Sequence, residues 1–337
     1  MTALPSSMRA AVLDRSAGAL RVVERPLPVP RDGELLLRVR ACGVCRTDLH
    51  IVDGDLPPHA DPVIPGHQIV GDVVAGATAD RPLGTRVGVS WIASTDGTCP
   101  FCKRRAENLC DAIRFTGYDV DGGYAEYAVA RAAFTYPLPE ALDDTDAAPL
   151  LCAGIIGFRA LRVAGVERGE RVGLYGFGSS AHLMVPVLRS WDCEIYVSTR
   201  GASHRAFARS LGVEWVGDAT DRPPAALDRA VTFAPSGDVV IAALGALRKG
   251  GIVAINAIHL DRIPQFDYDS LLWGERQLRS VANMTRSDAR DFLTLAARIE
   301  LRPKATAFGL ERVGEALDAV RSDAVDGAAV VVPEQRS

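Results

Sequence analysis

A strand that runs into a glycine turn and straight out into a helix leaves a chain few folds to choose from. Residues 171–200, RVGLYGFGSSAHLMVPVLRSWDCEIYVSTR, have that form. Strand, turn, helix and strand in this order make the parallel βαβ unit, and parallel strands need such crossovers throughout their sheet. The alternation duly continues through AVTFAP, VVIAALGALRKGG, GIVAINA and RSVANM. Gly176, Gly178 and Ala181 form a GxGxxA pattern in the turn. Glycine there permits a tight bend and lets backbone N–H groups approach a pyrophosphate, which the helix N-terminus favours. The plainer alternative is a glycine turn that binds nothing. Pro186 falls about two turns inside the helix, where it removes a donor and predicts a kink near His182.

The end of the second strand bears on which dinucleotide would bind. An NAD site usually places a carboxylate there for the ribose diol. This chain has Ser198, Thr199 and Arg200, followed by His204 and Arg205. No acid stands there to repel a 2′-phosphate, and Arg200 can pair with one. NADP(H) is therefore favoured over NAD(H), with Thr199, Arg200 and Arg205 as candidate contacts. The alternative is that both arginines simply face solvent.

A chain of 337 residues exceeds what one core usually fills, so a second domain is expected. Residues 9–42 read as strands, and HQIVGDVVA, TRVGVSWI, GGYAEYAVA and AFTYPLP add more. From Asp144 the spacing of Leu151, Ile155, Phe158 and Leu161 predicts a helix leading into the βαβ region. Beyond Ser287, two helical patterns and the ending GAAVVVP suggest a return to the first domain. The expected division is 1–153 with 287–337 as a β-rich domain, and 154–286 as a doubly wound parallel sheet, an α/β architecture.

Within the β-rich part, CGVCRTDLHIVDGDLPPHADPVIPGH (Cys42–His67) gathers the thiol of Cys45, the hydroxyl of Thr47, the carboxylate of Asp48 and the imidazoles of His50 and His67 among Gly and Pro. Cys45 and His67, joined by Cys152, supply two thiolates and an imidazole, a set that suits zinc with one position open. Asp48 could fix the tautomer of His67 by accepting from its other nitrogen. Thr47 and His50 could carry a proton from an alcohol to solvent. Taken singly, Cys42 and Cys45 could be a redox pair and Cys152 a buried thiol, but a redox pair does not explain His67. Cys42 is assigned to packing.

A second cluster, TDGTCPFCKRRAENLC, holds Cys99, Cys102 and Cys110 in a loop with no apolar core of its own. A structural metal would organise it, with Asp96 as fourth ligand at the three-residue step before Cys99. The alternative is a loop with three free thiols. His59, His182, His204 and His259 stand scattered and read as structural or surface residues.

The formal charge of −4 gives no electrostatic reason to expect nucleic acid or an anionic membrane as partner. Neither the N-terminus nor the apolar run at Val239–Leu247 has the length of a signal or spanning segment. The chain is therefore expected to be cytoplasmic, and in that reducing setting seven cysteines, odd in number and clustered, point to metal rather than disulfides.

GVCRTDLH, Gly66-His67, the CPFC…ENLC lobe, LLCAG and the GFG turn together resemble the zinc-dependent medium-chain alcohol dehydrogenases, near the AdhA-like and cinnamyl-alcohol-dehydrogenase-like branches. The resemblance covers essentially the whole chain in order. It implies a GroES-like catalytic domain, a Rossmann domain and reversible conversion of an alcohol to an aldehyde or ketone. It implies catalytic zinc on Cys45, His67 and Cys152, a proton relay through Thr47 and His50, and a homodimer or homotetramer joined through the cofactor-domain sheets, with RSVANM as interface. It also implies a hydrophobic substrate pocket walled by Trp91 and Ile92. Three departures stand out: Gln68 where Glu commonly follows the zinc-binding His, Asp96 where Cys is usual, and no basic residue in GAAVVVP. Two rival readings remain: a reductase for activated double bonds on the same fold, and a nucleotide-binding module that has lost its chemistry.

Overall fold

The structure, a computed structural model, describes residues 4–15, 19–325 and 327–334. By its internal contacts the chain divides into two compact units, Met1–Cys152 with Thr285–Ser337, and Ala153–Met284.

The first unit opens with an antiparallel pair, β1 (Ser7–Asp14) and β2 (Ala19–Pro26). The long strand β3 (Glu34–Val44) follows, then helix α1 (Arg46–Asp53), β4 (Gln68–Ala75) and β5 (Arg86–Val89). Strands β6 (Ile92–Ser94) and β7 (Arg114–Phe115) form a short antiparallel ribbon enclosing the cysteine lobe, within which lies α2 (Pro100–Lys103). Strands β8 (Tyr127–Arg131) and β9 (Thr135–Pro137) complete the run. Leu35, Leu37, Val39, Ile69, Val73 and Val87 are buried together at the centre of this sheet.

Helix α3 (Asp144–Pro149) passes through a π-helical turn, Leu150–Gly154, into α4 (Ile155–Ala164). This stretch has the length and apolarity to cross a membrane, yet 72% of its most apolar window is buried inside the fold, as in a core helix.

The second unit then alternates strand and helix: β10 (Arg171–Tyr175), α5 (Ser179–Ser190), β11 (Glu194–Ser198), α6 (Ala202–Ser210), β12 (Trp215–Gly217), β13 (Leu227–Thr232), α7 (Gly237–Ala246), β14 (Leu247–Ile255), α8 (Tyr268–Leu271) and β15 (Gln277–Ser280). All six strands are parallel, in the order β12-β11-β10-β13-β14-β15. Counted within the unit this is 3-2-1-4-5-6, the Rossmann order, with its switch point between β10 and β13. Helix α5 runs without interruption through Pro186.

The chain returns through α9 (Arg286–Arg298), β16 (Ala305–Gly309), α10 (Val313–Arg321) and β17 (Ala328–Val332). Strand β17 pairs antiparallel with β3, Val331 opposite Cys42, so the last strand closes the first unit's sheet, β16-β17-β3-β4-β5-β9. The β-rich unit and the doubly wound parallel sheet are the architecture the sequence implies.

Candidate active site

The register of β3 and β4 makes the centre of the site. Gly43 faces Gln68 and Cys42 faces Ile69, so the antiparallel pair delivers Cys45 and His67 just past its facing ends. Cys45 leaves β3 in extended conformation as the cap of α1 (φ −138°, ψ 177°), and its N–H donates to Asp48 Oδ2 at 2.9 Å. Cys152 comes from elsewhere, out of the π-helical turn. The buried Leu151 seats that turn against Gly88 of β5, where an added Cβ would collide with the leucine methyls.

Cys45, His67 and Cys152 each offer a donor atom, and these atoms lie within 4.8 Å of one another. His67 Nε2 faces Cys45 Sγ at 3.4 Å, while Nδ1 stands 3.2 Å from Asp48 Oδ1. His67 and Asp48 are completely buried, yet neither Nδ1 nor Oδ1 makes an aligned hydrogen bond. Burial pulls the His67 pKa down, but the Asp48 carboxylate and Cys45 outweigh it and lift it to about 10. The Cys45 thiol is raised by hydrogen bonding to Cys152 and by burial. A buried set of two thiols, an imidazole and a carboxylate that holds on to protons in this way is one a divalent cation fits, two soft sulfurs and a nitrogen being zinc's preferred donors.

The flanking residues fall into distinct places. Thr47 is buried on α1, and His50, three residues on, is half-exposed with Nδ1 3.1 Å from Asp55 Oδ2. Cys42 packs in the sheet core, outside the donor cluster. Gln68 is 2% exposed, with Nε2 unpaired. Trp91 sets its ring edge-on to His67 (centroids 4.9 Å, 71°) and stacks on Phe115 (4.7 Å, 16°). Ile92 points into the fold at 3% exposure. His59 has partners that were not foreseen: its Nδ1 lies 2.6 Å from Asp119 Oδ1 and its ring 4.7 Å from that of Tyr118.

In the lobe, Asp96, Cys99, Cys102 and Cys110 also bring donor atoms within 4.8 Å of one another. Asp96 Oδ1 accepts from the N–H groups of Thr98 (2.8 Å) and Cys99 (2.9 Å), and these bonds hold its carboxyl well below the usual carboxylate range. Burial lifts the Cys102 thiol to about 11. Three sulfurs and one oxygen fit a closed, four-coordinate zinc site. Glu107 ties the lobe to α9, accepting from Arg286 N at 3.0 Å and Nε at 3.2 Å.

In the second unit, Gly176 bends the chain at φ +88°, where an added Cβ would come within 2.9 Å of Ala234 N. Gly178 caps α5, and a Cβ there would meet nothing within 4 Å, leaving room over the helix N-terminus for a phosphate pair. Ala181 is wholly buried beneath it. Past β11, Thr199 is buried and Arg200 exposed. Arg205 donates to the Thr199 carbonyl at 3.3 Å and pairs with Asp218 at 3.1 Å. Asp218, just beyond β12, is the acid that the sequence reading missed, because it lies on the next strand of the sheet.

Residues 31–140 match the alcohol dehydrogenase GroES-like domain. Over 324 residues the chain is 47% identical to a protein named probable alcohol dehydrogenase AdhA of Mycobacterium tuberculosis, covering 94% of this chain and 93% of that one. The chain belongs to the zinc-dependent medium-chain alcohol dehydrogenases. An alcohol dehydrogenase of Geobacillus stearothermophilus is 31% identical over 96% of this chain and 98% of its own length. The cinnamyl alcohol dehydrogenase structure from Sorghum bicolor shares the fold at a TM-score of 0.87 and 22% identity, with 98% of this chain and 99% of that chain covered. As a medium-chain alcohol dehydrogenase the protein is an oxidoreductase that interconverts an alcohol and an aldehyde or ketone by hydride exchange with a nicotinamide dinucleotide. The double-bond reductase and the inactive module find no favour among these relatives.

Proposed function

We propose that Cys45, His67 and Cys152 hold the catalytic zinc, with Asp48 orienting His67, and that Asp96, Cys99, Cys102 and Cys110 hold a second, structural zinc. One observation carries the reading: three donor atoms from separate segments converge within 4.8 Å, with His67 turned so that one nitrogen faces a thiol and the other a carboxylate. When bound, zinc supplies a Lewis acid for the substrate oxygen and the nicotinamide exchanges the hydride.

The chain's own residues move the proton. Thr47 and His50 are three apart on α1 and share a helix face. The buried Thr47 hydroxyl accepts the substrate's proton as it gives up its own, and His50, half in solvent beside Asp55, takes that proton on and passes it out. Gly176, Gly178 and Ala181 shape the pyrophosphate cradle. Arg200, with Arg205 and Thr199, selects NADP(H). Trp91 against His67 gives the substrate an aromatic wall and favours hydrophobic and aromatic alcohols or aldehydes, with Ile92 behind it. Seven cysteines without a disulfide support a cytoplasmic setting. The edge strand β15, which opens the RSVANM segment, and the exposed Trp273 and Tyr268 support a homodimer or homotetramer.

A steady-state panel of alcohols and aldehydes, run with NADPH and NADH in parallel on protein of measured zinc content, tests this reading. It predicts two zinc ions per chain and a higher kcat/KM with NADPH. Equal or better use of NADH would remove the assignment to Arg200. With an enal and deuteride-labelled cofactor, label must arrive at the carbonyl carbon; label at the β-carbon would favour double-bond reduction.

A further inference from the structure

Around His67 lie four buried polar atoms without an aligned partner: His67 Nδ1, Asp48 Oδ1, Gln68 Nε2 and Tyr124 Oη. The zinc reading accounts for the first two and leaves the tyrosine unexplained. Tyr124 is wholly buried. Its ring edge lies against Gly66, the residue before His67, so closely that a Cβ on Gly66 would come within 2.7 Å of Tyr124 Cδ1 and 2.8 Å of Cε1.

The backbone fixes this contact. Gly122 N–H donates to the Ile64 carbonyl at 2.6 Å, Gly123 N–H to Gly66 at 2.8 Å and Tyr124 N–H to Pro65 at 3.1 Å. Gly122 and Gly123 allow the approach, since a Cβ on the first would collide with Gly66 O and on the second with Ile69 Cγ1. Segment 122–124 is thus zipped along segment 64–66 and sets Tyr124 beside the histidine. Burial and then the neighbouring Asp48 carboxylate raise the Tyr124 hydroxyl well above its ordinary pKa, so it keeps a proton to donate. The carboxylate that bears on it is that of Asp48. A fully buried hydroxyl that bonds nothing costs stability, and phenylalanine would fill the same space without that cost.

We propose that Tyr124 is a positioning residue for the catalytic metal: its hydroxyl donates to Asp48, completing a Tyr124–Asp48–His67 chain that holds the imidazole ready to bind zinc. With Tyr124 added to His67 and the Cys45 N–H, the carboxylate has three donors to fix its rotamer. The histidine ring is then set before the metal arrives. Gly122-Gly123-Tyr124, which reads in the sequence only as part of a strand, becomes a second support for the site. This inference rests on the catalytic zinc reading above.

Zinc release from the full chain to a chromophoric chelator tests it. The wild type should release zinc in two phases, and Cys152→Ser assigns the catalytic phase by abolishing it. Tyr124→Phe should speed the catalytic phase about 10- to 100-fold, the usual effect of losing a partner behind a metal ligand. It should leave the lobe phase and the melting temperature unchanged. In an Asp48→Asn background, where the charged acceptor is gone, adding Tyr124→Phe should change little. A catalytic phase unaltered by Tyr124→Phe, both phases quickened alike, or effects of Tyr124→Phe and Asp48→Asn that multiply would overturn the proposal. Wild-type protein that binds zinc only at the lobe would overturn the zinc reading itself, a separable outcome.

Discussion

Arg205 commits Nη1 to both the Asp218 carboxylate and the Thr199 carbonyl, so its charge is partly neutralised there and it plays the lesser part; Arg200, exposed at the same strand end, is the main candidate to meet a phosphate. Arg200→Ala should therefore raise KM for NADPH about 10- to 100-fold, the worth of a charge-assisted bond, with KM for NADH nearly constant. Asp218→Asn should act oppositely by releasing Arg205 and removing a like charge from beside the phosphate; unchanged kinetics in both variants would mean that both arginines only face solvent. In the lobe, the Cys102 thiol at about 11 is protonated at neutral pH and must lose its proton to bind metal, whereas Asp96 is already ionised. Lobe zinc affinity should thus rise with pH through the range below 11, by about tenfold per unit for that proton, and weaken as pH falls. Asp96→Cys, which adds one more thiol to deprotonate, should steepen the dependence in competition titrations at pH 6, 7 and 8. Donor identities such as Cys45, His67 and Asp96 are legible in a sequence because the chemistry lies in the side chain itself. Tyr124, Asp218 and the His59–Asp119 pair are not, because each acquires its meaning from a neighbour that only the fold supplies.

At the level of elements, the π-helical turn at Leu150–Gly154 is what brings Cys152 to its partners. Pro149, immediately before it, has no N–H, and its ring crowds the carbonyl four residues back. The helix opens by one residue there, a distortion that recurs at functional sites. Pro149→Ala should let the turn close to an ordinary α-helix and rotate Cys152 by about 100° around the axis. The expected result is a melting temperature that holds or rises while the catalytic zinc is released more than about tenfold faster; zinc release at the wild-type rate would show that the proline does not set the turn. Periodicity predicts the helix around Leu151 and Ile155, but an inserted residue leaves no mark in such a pattern. Strand β16 went unforeseen for a related reason, since ATAFG has too little alternation to stand out before it pairs with β17. The glycine turn was legible in full, because strand, GxGxxA and helix together are local and chemical at once.

For the molecule as a whole, the order of the Rossmann strands and the return of β17 onto β3 follow from a chain that leaves the β-rich unit once and comes back once. That plan could be read from the change in texture near Asp144 and again after Ser287, since period and composition alter there together. The exposed edge strand β15 gives the whole-molecule prediction of self-association: sedimentation should find a dimer or tetramer, and Ser280→Pro, at a position whose N–H faces away from β14 because that of Val281 donates to Ile255, should shift it toward monomer. A monomeric wild type would contradict it. The central claim is that Cys45, His67 and Cys152 form one zinc site on which turnover depends. Zinc content measured with alcohol turnover in Cys45→Ala addresses it most directly: one zinc per chain should remain, at the lobe, while kcat falls by more than about 100-fold. A Cys45→Ala protein that keeps its turnover would contradict the account.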